Sequence, residues 1–237
     1  MKPVVVAIAL LAAACTRSAA TATEGAPPVT AATMPIAPPE SSPSDPASPP
    51  ADAPPPVTTA AIGQPAPAFD LVDTEGQHHS LADGKGKLVV LEWWNPGCPF
   101  VKYAHGEGPL RDMAEQETKA GVVWLAINSG APGKQGAGAD NSREGARGFG
   151  MAHPVLLDED GAVGHAYGAT KTPHVFLIDG EGKLRYRGAI DNAPIGEVAG
   201  GGAYRNHLAQ ALAEVRAGKP VSVPETPSYG CSVKYAK

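Results

Sequence analysis

The chain has 237 residues, with 19 Lys and Arg against 24 Asp and Glu and a formal net charge of -5. That balance is mild, and no basic stripe with interleaved aromatics runs through it, so nothing points to nucleic acid as a partner. Beyond about the first sixty residues, enough chain remains for one domain of ordinary size with a single core.

Lys2 is followed by an apolar segment from Val4 to Ala14, with small residues just before Cys15. The segment is too short for a membrane-spanning helix and has the form of an export signal. Ala12-Ala13-Ala14-Cys15 resembles the lipobox of bacterial lipoproteins, which implies a signal peptide over 1–15 and acylation of Cys15, with ordinary cleavage near Ala14 as the alternative. Either way the protein is expected outside the cytosol, in the periplasm, and on the lipoprotein reading it is held to the membrane only through a lipid on Cys15. There a cysteine pair can persist as a disulfide. Residues 16–61 are Ala, Pro, Ser and Thr with no aromatic side chain. Such a stretch buries too little apolar surface to offset its ordering entropy, so it is expected to be a disordered, extended tether.

A domain is expected over 62–237. Ile62 to Leu71 and the Ser80-Leu81 pair read as two short edge strands joined by a turn at Glu75-Gly76, with prolines tolerated because an edge strand need not donate every N–H. His78 and His79 are adjacent on the second strand and so point to opposite faces, which is no metal spacing. Leu88-Val89-Val90-Leu91 is a continuous apolar run, the pattern of a parallel strand buried on both faces, and Asn95-Pro96-Gly97 is the turn that ends it. Cys98 then opens a helix, where unpartnered backbone N–H groups and the macrodipole favour thiolate over thiol. The spacing places Val101, Lys102 and His105 on the first turns of that helix, a break at Gly106-Glu107-Gly108-Pro109, and a second helix from Leu110 to Ala120.

This junction resembles thioredoxin, whose reactive pair sits as Cys-x-x-Cys between the same strand and helix. Cys98 matches the first cysteine, and Val101 stands in place of the second. Glu92 matches the buried acid that assists proton transfer there, with Glu in place of Asp, and Trp94 matches a tryptophan of the strand. A buried, inert Cys98 and a merely paired Glu92 are the bland alternatives.

Downstream, Val122 to Ile127 reads as the next buried strand. The Gly-rich stretch from Ser129 to Ala139 surrounds Lys134 but has no Walker pattern, so it is expected to be a flexible surface loop. A short helix over Asn141 to Phe149, a strand over Pro154 to Leu157 and a helical turn over Gly161 to Tyr167 follow. Thr172-Pro173 before the apolar His174 to Ile178 resembles the thioredoxin-fold segment in which a cis-proline faces the reactive cysteine. There the backbone before the proline presents itself to an extended partner. His105 and His174 are read as polar neighbours of Cys98 rather than ligands. Asp179-Gly180-Glu181-Gly182 turns a hairpin whose second strand is Leu184 to Gly188, and Tyr204 to Ala217 is the closing helix. The tail from Val223 shows neither periodicity, and Cys231 on it reads as a mobile thiol that resolves what Val101 does not; a structural disulfide to Cys98 or an idle thiol are the alternatives.

Asn95-Pro-x-Cys98-Pro99-Phe100-Val101-Lys102, the Thr172-Pro173 strand and the terminal Gly230-Cys231-Ser232-Val233-Lys234-Tyr235 together resemble the peroxiredoxin-like redoxins of the AhpC/TSA type, from Ile62 to the C-terminus. The resemblance implies a thioredoxin-like α/β fold, a three-layer sandwich on a mixed central sheet. It also implies thiol-disulfide oxidoreductase activity without cofactor or metal, on a protein or small-molecule disulfide or thiol, with an upstream electron donor. Cys98, Cys231 and Glu92 would be catalytic, and Trp94, Pro99, Thr172 and Pro173 would meet the partner. A peroxidase would need threonine where Asn95 stands and proline where Leu91 stands, and in-line donors for the peroxide. A thiol-dependent peroxidase and a redox-inert binding module therefore stay as alternatives.

Overall fold

The computed structural model describes residues 59–237. The expected leader, Cys15 and nearly all of the expected tether lie outside those residues.

Two short strands, β1 (Asp70–Val72) and β2 (His78–Ser80), pair antiparallel as a hairpin of their own. The two histidines diverge as their register requires, His78 to Asp70 and His79 to Asp73, each at 2.8 Å. The central sheet has five strands: β3 (Val89–Trp93), β4 (Val123–Asn128), β5 (Val155–Leu157), β7 (His174–Ile178) and β8 (Leu184–Gly188), in the order β5-β4-β3-β7-β8. β3, β4 and β5 run parallel, and β7 and β8 are antiparallel additions on the other side of β3. β3 is central and buried at every position. Its alternation sends Val89, Leu91 and Trp93 to one face and Val90 to the other.

The two faces hold two cores. On one, Trp93, Ile127, Phe176 and Tyr167 of α4 (Ala162–Tyr167) meet Phe69 of the entry segment. On the other, Val90, Trp124, Val175 and Leu177 pack under α1 (Pro99–Gly106), α2 (Leu110–Lys119) and α5 (His207–Arg216), through Ala104, Leu110, Ala114, Leu208, Ala211 and Leu212. α3 (Ala139–Gly148) flanks β5. The result is the expected three-layer α/β sandwich on a mixed sheet, and each large apolar side chain so enclosed contributes about 1.5–3 kcal/mol. The helix break expected at Gly106 to Pro109 separates α1 from α2.

Three expectations are corrected. The closing helix begins at His207 rather than Tyr204, because Asn206 caps it, its side chain accepting from Ala209 N at 2.9 Å. The Gly-rich stretch reaches the surface over Pro132 to Gln135 but is tied down: Asn128 Nδ2 donates to the Gly136 carbonyl at 2.8 Å, Asn95 Nδ2 to the Gln135 carbonyl at 2.9 Å, and Ser129 to Ala131 are buried. The tail is not free either. It forms β9 (Cys231–Ser232), which pairs antiparallel with β6 (Lys171–Thr172) just before Pro173.

Candidate active site

The site starts where β3 runs out. Trp94 N still donates to the Ile127 carbonyl at 2.9 Å, and then the chain turns. Asn95 makes the turn: its Oδ1 accepts from Gly97 N at 2.8 Å and its carbonyl from Cys98 N at 3.1 Å. Small polar side chains hold such turns by bonding to the backbone two residues on. Gly136 packs so closely on Asn95 that a Cβ there would overlap the amide oxygen, which explains one glycine of the Gly-rich stretch. Cys98 is the N-cap of α1 and Pro99 its first residue, a position where the missing N–H costs nothing.

The Thr172–Pro173 bond is cis, as expected, and the Thr172 carbonyl lies 3.1 Å from Cys98 Sγ. Because Cys231 is the antiparallel register partner of Thr172, its sulfur reaches 2.8 Å from Cys98 Sγ, both residues being free thiols. Residues 133 apart in sequence are thus brought together by one two-residue ladder.

Their acidities diverge. Burial opposes the Cys98 thiolate. Hydrogen bonding with Cys231 and Thr172, and the amides of Val101 and Cys231, outweigh it and hold Cys98 below the ordinary thiol range. The Val101 amide is the helix N-terminal donor the sequence predicts. Cys231 moves the other way, pushed up to about 11 by burial and by the Cys98 sulfur beside it. One sulfur is thus poised to attack while the other keeps its proton.

In this conformation the sulfur is covered, as the alternative of a buried Cys98 has it. Cys98 is only 1% exposed, enclosed by Trp94, Val101, Ala126 and Val155 with Phe100, Phe149 and Cys231 around them. Part of the cover is the tail, whose Cys231 lies against the sulfur and which the sequence suggests should be mobile. Trp94, expected to meet a partner, is buried against Phe149 in a T-shaped contact with ring centroids 6.4 Å apart. Val101, in the second thioredoxin cysteine slot, is fully buried. Of the other residues expected to meet a partner, Pro99 is exposed, while Thr172 and Pro173 are buried, Thr172 with its carbonyl beside the sulfur.

Glu92 is fully buried and commits its carboxylate to other groups: His105 Nε2 at 2.8 Å and Trp124 Nε1, which donates at 3.4 Å. Burial alone would raise Glu92, but the facing His105, with His153 and Trp124, brings it below the usual carboxylate range. His153 lies 6.3 Å from His105, ring centre to ring centre, and its Nε2 has no hydrogen-bond partner among the described residues. Burial drives His153 down to about 4. His105 is therefore the hydrogen-bond partner of the acid. Sequence reasoning missed His153, which carries no local pattern.

Residues 62–187 match the sequence model of the AhpC/TSA family. Among curated proteins, the chain is 36% identical over 129 residues to the thiol-disulfide oxidoreductase ResA of Geobacillus thermodenitrificans, covering 54% of this chain and 69% of that one. It is 33% identical to the thiol:disulfide interchange protein DsbE of Pseudomonas aeruginosa, over 56% of this chain and 70% of that one. Among solved structures, a hypothetical protein from Sinorhizobium meliloti superposes with a TM-score of 0.65 at 28% identity, over 76% of this chain and 97% of the other.

Proposed function

Since this chain belongs to the AhpC/TSA family, we propose that it is an exported thiol-disulfide oxidoreductase in which Cys98 is the nucleophile and Cys231 the resolving thiol. The 2.8 Å between the two sulfurs, beside the Thr172 carbonyl, carries this assignment. The names of its relatives, ResA and DsbE, support the activity class. Export is supported by the apolar Val4 to Ala14 segment before Cys15, which on this reading is the lipid attachment site. Residues 16–61 would then tether a domain spanning 62–237.

In the cycle, the Cys98 thiolate attacks one sulfur of a partner's disulfide. The partner's S–S bond breaks, a bond between Cys98 and the partner forms, and the departing sulfur leaves as thiolate and takes up a proton. Cys231 then gives up its proton and attacks Cys98. The mixed disulfide breaks, a Cys98–Cys231 disulfide forms, and the partner leaves with its second thiol. The partner is reduced by two electrons and the protein oxidised by two, so turnover requires an external dithiol as electron donor. Cys98 is one cause of the raised Cys231 pKa, so forming the mixed disulfide removes that charge and eases loss of the Cys231 proton for the second step.

Wild-type protein mixed with a model protein disulfide should yield reduced substrate and lose two titratable thiols per chain. Cys98→Ser should be inert, and Cys231→Ser should accumulate the mixed disulfide. If hydrogen peroxide instead converts Cys98 to sulfenic acid far faster than an unactivated thiol, with no exchange on disulfides, the peroxidase alternative replaces this assignment.

A further inference from the structure

The tail does more than deliver Cys231. Its backbone fills the edge at Lys171–Thr172, the segment beside Cys98 that an extended partner would need. Thr172 pairs with Cys231 and Lys171 with Ser232, and Val233 N donates to the Thr170 carbonyl at 3.1 Å. Gly230 presses directly on the Thr172 carbonyl, with φ at +110° and no room for a Cβ. The segment is pinned at both ends. Tyr229 OH donates to Asp191 Oδ1 at 2.7 Å, and beyond the strand Tyr235 OH donates to the Ala169 carbonyl at 2.8 Å while its ring stacks on His165 at 4.1 Å. Between the pins the ladder is only two residues long, backed by Ala131 N donating to the Lys234 carbonyl at 2.8 Å and by Val233 on the core, and Tyr229, Gly230 and Cys231 are half-buried rather than enclosed.

Thiol-disulfide exchange requires the attacking sulfur to reach the target sulfur in line with the bond that breaks. With Cys98 at 1% exposure, no disulfide reaches it while Gly230 to Val233 stay docked. A short, half-exposed ladder held by side-chain pins is the kind of element that opens locally, well below the cost of global unfolding.

On the reading that Cys98 is the nucleophile, we propose that Tyr229 to Tyr235 is a resident strand that competes with the partner for one edge, so that a cysteine-bearing extended polypeptide gains Cys98 by displacing it. A polypeptide partner replaces the hydrogen bonds the tail gives up at Lys171–Thr172; a small disulfide replaces none and waits for spontaneous opening. The protein is thereby selective for polypeptide disulfides, and its nucleophile stays covered between turnovers.

The test uses the full chain carrying Cys231→Ser, so that resolution plays no part, and follows alkylation of Cys98 by iodoacetamide at a pH on the plateau of its profile, where the rate reports access alone. Adding Tyr235→Phe, which removes one pin at constant ring volume, should speed alkylation several-fold. Gly230→Val, which the Thr172 carbonyl does not accommodate, should speed it at least tenfold. Near-ultraviolet circular dichroism verifies that each variant stays folded, and Tyr235→Phe decides if Gly230→Val does not. Rates within twofold of the parent for Tyr235→Phe, or a parent already as reactive as the urea-unfolded chain, would overturn the proposal. Failure of the exchange assay with faster alkylation in the variants would instead sink the enzymatic assignment and leave the strap standing.

Discussion

Cys98 and Cys231 are chemically the same side chain, and the fold separates their acidities. At Cys98, burial works against the charged form, but the Cys231 thiol, Thr172 and the Val101 amide favour it, and the balance lies on the thiolate side. A thiolate is the reactive species, so the alkylation rate of Cys98 rises through its pKa. Its half-maximal pH should therefore fall below that of an ordinary cysteine, about 8.5. Replacing Cys231 by Ala removes the hydrogen-bond donor nearest the sulfur, and the midpoint should move upward. A midpoint that stays put or falls would mean that the cysteine pairing does not stabilise the thiolate. Rates taken to saturation on both sides of the midpoint separate this effect from easier access, which changes the plateau and not the midpoint.

The elements divide by how their stabilising interactions are encoded. β3, β4 and β7 were legible because the sheet is covered on both faces, and strands so placed are written as apolar runs such as Leu88 to Leu91. The Cys98 junction was legible because Asn-Pro-Gly ends a strand and Pro99 suits a first helical turn. β9 was not: two residues carry no periodicity, and its place is set by hydrogen bonds to Lys171 and Thr172, some sixty residues away in sequence, which no local signal announces. The same holds for Glu92, whose identity suggested proton transfer while its partner His105 lies on another element. The start of α5 was misplaced because apolar spacing marks a helix's face, not its first residue; the cap marks that. Asn206→Ala removes the acceptor for Ala209 N, which costs about 1 kcal/mol. For a domain of this size that lowers Tm by about 2–4 °C. Asn206→Asp should preserve it, and a loss with Asp as large as with Ala would assign the effect to something other than the cap.

At the scale of the molecule, the buried titratable groups set an acid limit on stability. His153 is lowered to about 4 by burial, with Glu92 opposing and His105 adding to the shift, and His174 to about 4 by burial and the Arg187 charge. Between the unfolded value near 6.5 and the folded value, the unfolded chain binds protons that the folded chain refuses, so the stability each histidine supplies is present above 6.5 and lost as the pH falls to 4. At 1.36 kcal/mol per unit, that loss is at most about 3 kcal/mol for each. Glu92 adds a second stage: its folded value is depressed, so its contribution is present above the ordinary glutamate range and lost as the pH falls below it. Asp158 opposes this, because burial raises its carboxyl and its protonation favours the fold. Urea unfolding at pH 7, 5.5 and 4 should therefore show stability falling steadily, with an unchanged dependence on denaturant. His153→Gln, which neither titrates nor carries charge, should lower stability at pH 7 if its packing is imperfect, yet flatten the decline from 7 to 4 by up to about 3 kcal/mol. The slope is the decisive quantity, because a packing defect shifts all three points together and a lost titration does not. A variant whose decline parallels the wild type would remove His153 from the acid limit and leave it to His174 and the Glu92 pair.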